Sequence, residues 1–258
     1  MMSWIEIASL LAAACAAGAV NAIAGGGTLL TFPTLILFGV PPMIANATST
    51  LALLVGMAGS LYGYRNHITD VKPWFTTFIP VSIAGGWIGS LLLTRSSERV
   101  FTELVPYLVL FATVLFMLQG VMSARLGRQL HDTDSPTSRR PHLLAALFFQ
   151  FLVSVYGGYF GAGIGILMLA TLGFMGFKNI HQMNTLKSVL GSLINLVAAA
   201  WFTASGLIDW PRMALMTVGA FAGYYIASTY SQRLPQKAVR RLIAIIGLII
   251  TAVMFWKL

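Results

Sequence analysis

The sequence contains little charge and a single cysteine, and each shortage excludes a class of protein. Cys15 has no second cysteine with which to form an internal disulfide, and alone it cannot build a cysteine metal cluster. Charged residues make up only 9% of the chain and the mean hydropathy is +0.82, whereas a typical soluble domain is about 25% charged. No Asp, Glu, Lys or Arg occurs between Ile7 and Tyr64. Because helices that meet water need a polar face, the chain is predicted to be an all-α polytopic protein of the lipid bilayer.

The remaining charge is mostly basic and gives a formal net charge of +9. These basic residues form no continuous stripe with interleaved aromatics, so no nucleic-acid partner is predicted. They lie between apolar stretches, as the positive-inside rule describes. No Gly-x-x-x-x-Gly-Lys-Ser/Thr motif occurs, which argues against nucleotide-driven function. No cofactor and no metal site is predicted.

Glycine-rich segments break two of the apolar runs. Gly25, Gly26 and Gly27 interrupt the first run, and Gly161 and Gly163 interrupt a later one. Each glycine weakens a helix by roughly 1 kcal/mol relative to alanine. Irregular backbone is tolerated at membrane depth only where protein or a water-filled cavity satisfies it. Two such breaks at matching places in two halves predict the binding site of a transporter.

The chain also shows a weak internal repeat. The matched residues, at offsets of 137 and 138, include Gly26 with Gly163, Thr48 with Thr185, and Gly85 with Gly223. Their common order predicts two homologous membrane repeats, at residues 1–124 and 142–258, joined by a linker at 125–141.

Charge indicates how the two halves are oriented. The first half is counted as five segments, at residues 3–24, 28–38, 43–63, 73–94 and 101–121. An odd count inverts the second half and places eleven Lys and Arg residues on one side and four on the other. Four segments would give parallel repeats with a division of eight to seven. The positive-inside rule favours inverted repeats, with both termini outside and the linker in the cytoplasm.

Each half is expected to contain a glycine-broken hairpin. At 1.5 Å per residue, segments 28–38 and 164–175 are too short to cross an intact bilayer alone. We expect each to enter from one face and turn back, although a crossing stays open. A short helix that starts after Gly25, Gly26 and Gly27 would present backbone N–H groups to an anion. The alternative for these glycines, and for Gly161 and Gly163, is close helix packing by small residues.

Polar residues follow the turn of each predicted hairpin. Asn46, Thr48 and Ser49 follow the first turn, and Asn184 and Thr185 follow the second. Hydroxyl and amide groups can donate hydrogen bonds to an oxyanion without adding charge, which suits a ligand that must also leave. The alternative is helix capping and hydrogen bonding between helices.

Lys187 is the most informative single residue. It lies about eight residues inside an apolar segment that runs from Ile180 to Phe202. A cation at that depth costs a few kcal/mol unless it is paired or hydrated, and no acidic residue lies in a nearby uncharged run. The substrate anion itself is therefore a candidate partner. The alternative is that the side chain extends along its four-carbon stem to a lipid headgroup.

These motifs, taken together, resemble those of the TauE/SafE sulfite exporter family. The matching segments are Asn21 to Thr28, Phe32–Pro33, Gly39 to Pro41, Ala45 to Ser49, Gly157 to Gly163 and Asn184 to Lys187. The second glycine motif is looser than the first, because Ala162 and Ile164 interrupt it. The resemblance implies a permease for sulfite, sulfonates or other organic anions in the bacterial inner membrane.

The sequence thus favours a secondary anion transporter, which is not an enzyme and works by alternating access around a midplane site. An anion channel would share the same residues but would need an open path. An intramembrane serine hydrolase would need Ser60 or Ser192 beside a histidine, and no Gly-x-Ser-Gly pattern supports it. The small-residue face from Gly219 to Gly223 could pack within one protomer or between two, so a homodimer stays open.

Overall fold

The computed structural model describes residues 2–23, 26–64, 68–132, 139–174, 177, 180–230 and some positions between 245 and 256. Through residue 230, the described ranges form helices joined by short connections. The helices are α1 (Trp4–Ile23), α2 (Thr28–Leu37), α3 (Pro42–Tyr64), α4 (Ile68–Arg95), α5 (Glu98–Asp132), α6 (Arg139–Tyr159), α7 (Ile164–Phe174), α8 (Ile180–Ala204) and α9 (Trp210–Tyr230).

The helices confirm the prediction of an all-α polytopic membrane protein. Three of the described helices contain spans long and apolar enough to cross a bilayer, at Trp4–Ala22, Val71–Arg95 and Gln182–Ala204. The short segments predicted after the two glycine breaks are α2, with 10 residues, and α7, with 11 residues. Large apolar side chains such as Phe148 and Tyr225 are exposed on the outer surface, where a bilayer is the solvent that suits them.

α5 is longer than the sequence suggested. It continues to Asp132, and α6 begins at Arg139, so helix occupies much of the linker expected at 125–141. Arg, Leu and Gln in this stretch are good helix formers, and the first proline after it is Pro136. α5 therefore extends beyond the end of the apolar segment predicted at 101–121.

Packing sorts six of the helices into two groups. The first group is α1, α3 and α9, and the second group is α6, α8 and α4. In each group the first and third helices of one half pack against the fourth helix of the other half. The groups meet where α3 packs against α8.

Glycines allow the closest of these helix contacts. A Cβ atom at Gly223 of α9 would lie 1.9 Å from the backbone oxygen of Cys15 in α1. At Gly85 of α4, the matching position of the predicted repeat, a Cβ would lie 2.8 Å from the backbone oxygen of Phe151 in α6. A Cβ at Gly219 would lie 2.6 Å from the Leu11 oxygen. The glycines of this small-residue face therefore pack on α1 within the same chain.

Candidate functional site

A cavity of about 100 Å³ lies between the two groups of helices. A single water needs roughly 10–15 Å³ of such space, so the cavity suits a small solute. Its wall combines the end of α1, the starts of α2 and α7, one face each of α3 and α8, and a tyrosine of α9. The polar and glycine residues of the lining are Asn21, Gly26, Thr28, Thr50, Gly161, Gly163, Gly165, Lys187, Ser188, Gly191, Ser192, Asn195 and Tyr224.

Both glycine breaks open on this cavity. Gly26 has φ 102° and Gly163 has φ 77°, backbone angles that residues with a Cβ atom rarely adopt. The first helix begins soon after Gly26, at Thr28, and the second begins directly after Gly163, at Ile164. The two helix N-termini, each carrying a partial positive charge, therefore face one space.

The first break is largely closed by its own hydrogen bonds. The Gly27 N–H donates to Oδ1 of Asn21 at 2.6 Å, and the Leu29 and Leu30 N–H groups donate to the carbonyls of Gly26 and Gly27. Most of the N–H groups that the sequence led us to expect free for an anion are thus occupied. Gly27 is buried and lies outside the lining, and Gly25 falls outside the described residues.

The second break lacks the side-chain cap of the first. Gly158 stands where the repeat offset of 137 would place the counterpart of Asn21, so no side chain can cap the break from that position. Among the described residues, no hydrogen-bond acceptor meets the N–H groups of Gly163 and Gly165. Two donors therefore remain available at the start of α7.

Lys187 reaches the cavity beside this open break. Its side chain is partly buried, and its Nζ donates to Oδ1 of Asn184 at 3.2 Å. A Cβ at Gly165 would lie 3.3 Å from Cδ of Lys187, so the stem packs against the first turn of α7. No carboxylate within the described part of the chain pairs with it. Because a cation is unfavourable at a helix N-terminus, this place favours an added anion.

The predicted polar cluster of α3 lies outside the cavity lining. Asn46 Nδ2 donates to the carbonyl of Tyr159 at 3.1 Å, at the end of α6. Thr48 accepts a hydrogen bond from the Asp209 N–H at 3.0 Å, just before α9. Ser49 shares a 2.6 Å hydrogen bond with Thr31 of α2. These buried side chains hold α3 to three other parts of the fold.

Of the remaining predicted site residues, some line the cavity and others lie outside it. Gly26, Gly161, Gly163 and Lys187 line the cavity together. Asn184 touches the site through its hydrogen bond to Lys187, while Thr185 is buried outside the lining.

The sequence reasoning missed several lining residues that the repeat could have revealed. Four pairs of lining residues are related by the offset of 137, namely Gly26 with Gly163, Thr28 with Gly165, Thr50 with Lys187, and Leu54 with Gly191. Asn195 lies two helical turns after Lys187 on the same face of α8. Asn21 was noted only as part of a motif, yet its side chain contacts both Gly27 and the Tyr224 hydroxyl.

The serine proposed for a hydrolase is engaged elsewhere. The Ser192 hydroxyl donates to the carbonyl of Ser188, one turn earlier in α8, at 2.6 Å. Such a bond is usual for serine in an apolar helix. The side chain of Ser60, the other candidate, lies outside the described residues.

Comparison with known proteins agrees with this membrane architecture. Residues 10–254 match the family described as sulfite exporter TauE/SafE. A probable membrane transporter protein of Haemophilus influenzae is 28% identical over 252 residues, which cover 97% of this chain and 94% of that protein. The probable membrane transporter protein YfcA of Escherichia coli is 28% identical over 255 residues, covering 98% of this chain and 90% of that protein. No solved structure gives a significant match.

The family match spans almost the whole chain, and the relatives are matched over most of their own length. The long apolar helices of the structure suit a family of membrane transporters. The chain therefore belongs to the TauE/SafE family of membrane transporters.

Proposed function

We propose that this protein is a secondary transporter that exports sulfite or a related small sulfur-containing or organic anion across the bacterial inner membrane. The observation that carries the proposal is Lys187, a cation without a carboxylate partner among the described residues, placed in a cavity at the start of α7. The substrate site comprises Lys187, the N–H groups of Gly163 and Gly165, and the surrounding hydroxyl and amide groups.

Electrostatics explains why an anion would bind there. A cation inside a membrane protein costs a few kcal/mol unless a counter-ion or water accompanies it. The partial positive charge of a helix N-terminus adds to that cost. An oxyanion would neutralise both and could accept hydrogen bonds from backbone and side chain together. Lys187 lines a cavity between helix groups, which favours this role over extension to a lipid headgroup.

The packing of the helices supports alternating access. The cavity has α1, α3 and α9 on one side and α8 with the start of α7 on the other. A rocking motion of α1, α3 and α9 against α4, α6 and α8 would open the cavity first to one face and then to the other. We assign residues 1–124 and 142–258 to duplicated, inverted repeats, because each helix group combines the first and third helices of one half with the fourth helix of the other.

The membrane potential would supply a driving force for export. The sequence carries no nucleotide-binding motif of the Gly-x-x-x-x-Gly-Lys-Ser/Thr type. An anion that leaves a negative interior gains about 2.3 kcal/mol per charge for each 100 mV. The membrane potential alone can thus drive the outward movement of an anion whose concentrations on the two sides are similar.

Uptake of radiolabelled sulfite into proteoliposomes tests this function. We expect saturable uptake with counter-exchange in the wild type, and a loss of about tenfold or more in Lys187→Met, because a charge-assisted hydrogen bond disappears. Lys72→Met is the matched control, since Lys72 is exposed on α4, and it should transport normally. Uptake that never saturates would indicate a channel, and equal uptake by Lys187→Met would remove Lys187 from the site.

A further inference from the structure

The cavity is built from matching positions of the two halves, but its charge is not shared between them. Lys187 on α8 corresponds to Thr50 on α3 at the offset of 137, and both line the cavity. Thr50 donates its hydroxyl hydrogen to the Asn46 carbonyl at 2.8 Å. Among the described lining residues, Lys187 is the one with an ionisable basic or acidic side chain apart from the Tyr224 phenol.

The backbone donors of the two helix starts are distributed more evenly than the charge. Asn21 already occupies the Gly27 N–H at the first break with its Oδ1 atom. At the second break, the N–H groups of Gly163 and Gly165 meet no acceptor in the described part of the chain. The N–H groups of Gly26 and Thr28, their counterparts at the first break, also meet no described acceptor, so open donors face the cavity from both sides. The charge is not shared in this way, because none of the described lining residues opposite Lys187 is charged.

We infer that the site accepts a monovalent oxyanion and rejects a divalent one, with Thr50 and Lys187 as the pair that sets this charge selectivity. This inference rests on the proposed function. A monoanion and Lys187 leave the cavity neutral, whereas a dianion leaves one buried negative charge without a partner, which is strongly unfavourable at low dielectric. The partial positive charges of the two helix starts compensate only part of that cost. For sulfite, the transported form is then hydrogensulfite.

Two probes whose charge does not change around neutral pH test the inference. Methanesulfonate is a monoanion and sulfate is a dianion, and both carry oxygens on tetrahedral sulfur. Uptake of each radiolabelled anion is measured in proteoliposomes with the membrane potential held at zero by valinomycin and equal potassium concentrations. We expect wild-type kcat/KM for methanesulfonate to exceed that for sulfate by about a hundredfold.

Variants at the matched pair separate charge from shape. Thr50→Lys adds a second cation and should lower the preference for methanesulfonate at least about tenfold. Thr50→Gln, which is long but neutral, should leave the preference within about threefold of wild type. The exchanged double variant, Thr50→Lys with Lys187→Thr, moves the single charge to the opposite wall. It should therefore keep the monoanion preference.

The outcomes distinguish this inference from the proposed function. Equal transport of sulfate and methanesulfonate by the wild type overturns the inference and leaves the transporter intact. A preference that is the same in Thr50→Lys and Thr50→Gln also overturns it. Absence of saturable uptake for every anion, sulfite included, instead contradicts the proposed function. If Thr50→Lys does not fold, the wild-type ratio of methanesulfonate to sulfate uptake still decides.

Discussion

The stem of Lys187 packs against Gly165, so that a Cβ atom at this glycine would lie 3.3 Å from Cδ of the lysine. The contact joins α8 to the first turn of α7. It sets where the ammonium group stands relative to the open N–H groups of the second break. A small change at Gly165 should therefore move the charge without removing it.

We expect Gly165→Ala to raise the KM for the transported anion roughly threefold to tenfold, because a displaced charged group binds less well. Proteoliposome uptake measures the change. Gly191→Ala is the matched control, since Gly191 lines the same cavity but a Cβ there meets no atom within 4 Å. The control should keep its KM within about twofold and gain up to about 1 kcal/mol of helix stability. Equal effects of the two variants would contradict this account of the contact.

Asn21 offers a second test, because it holds the first break closed with a carbonyl oxygen. Asn21→Asp keeps an acceptor for the Gly27 N–H and places a negative charge at a helix N-terminus, which is favourable. That carboxylate would also stand in the cavity and compete with the substrate for Lys187. We expect a folded protein with anion uptake lowered about tenfold or more.

Asn21→Ala separates the structural part of this role. It removes the acceptor and leaves the Gly27 N–H without a partner, which should cost about 1–3 kcal/mol of stability. Thermal unfolding in detergent measures both variants. Destabilisation by Asn21→Asp equal to that by Asn21→Ala would show that the acceptor is not what matters at this position.

Local signals in the sequence were sufficient for the helices and for part of the site. Uncharged apolar stretches predict membrane helices because the bilayer excludes charge, and glycine runs mark the breaks because glycine weakens a helix. Lys187 stood out because a cation is rare at that depth. The repeat offset found from the glycines also leads from Lys187 to Thr50. The sequence alone could therefore have predicted that Thr50 lines the opposite wall of the cavity.

Contacts between distant parts of the chain were not predictable in the same way. Asn46 and Thr48 are polar residues in an apolar helix, a pattern that fits a binding site and a helix contact equally well. Their partners, Tyr159 and Asp209, are more than a hundred residues away. The packing of α4 and α9, each against helices of the opposite half of the chain, likewise depends on contacts that no local pattern encodes.

The inverted arrangement of the halves predicts that the N-terminus and the linker lie on opposite sides of the membrane. In a Cys15→Ala background, Ser3→Cys should react with a membrane-impermeant maleimide in intact cells. Ser135→Cys should react only after the cells are opened. Labelling of both positions from the same side would indicate parallel repeats and would contradict the inverted arrangement.

Arg212 and Glu6 link α9 to α1 and give a last test, of the first helix group. Arg212 at the start of α9 donates through Nε to Oε1 of Glu6 in α1 at 2.7 Å, and it also pairs with Asp209. The side chains of Arg212 and Glu6 are 24% and 10% exposed. Solvent therefore screens this pair less than a surface pair.

A double-mutant cycle with Arg212→Gln and Glu6→Gln should give a coupling energy of about 1–3 kcal/mol, above the range of exposed pairs. Arg99 and Glu103 form the control, because their side chains are 88% and 54% exposed and should couple by no more than about 0.5 kcal/mol. Thermal unfolding of the purified variants measures both cycles. Similar coupling in the two cycles would mean that packing alone holds α1 to α9.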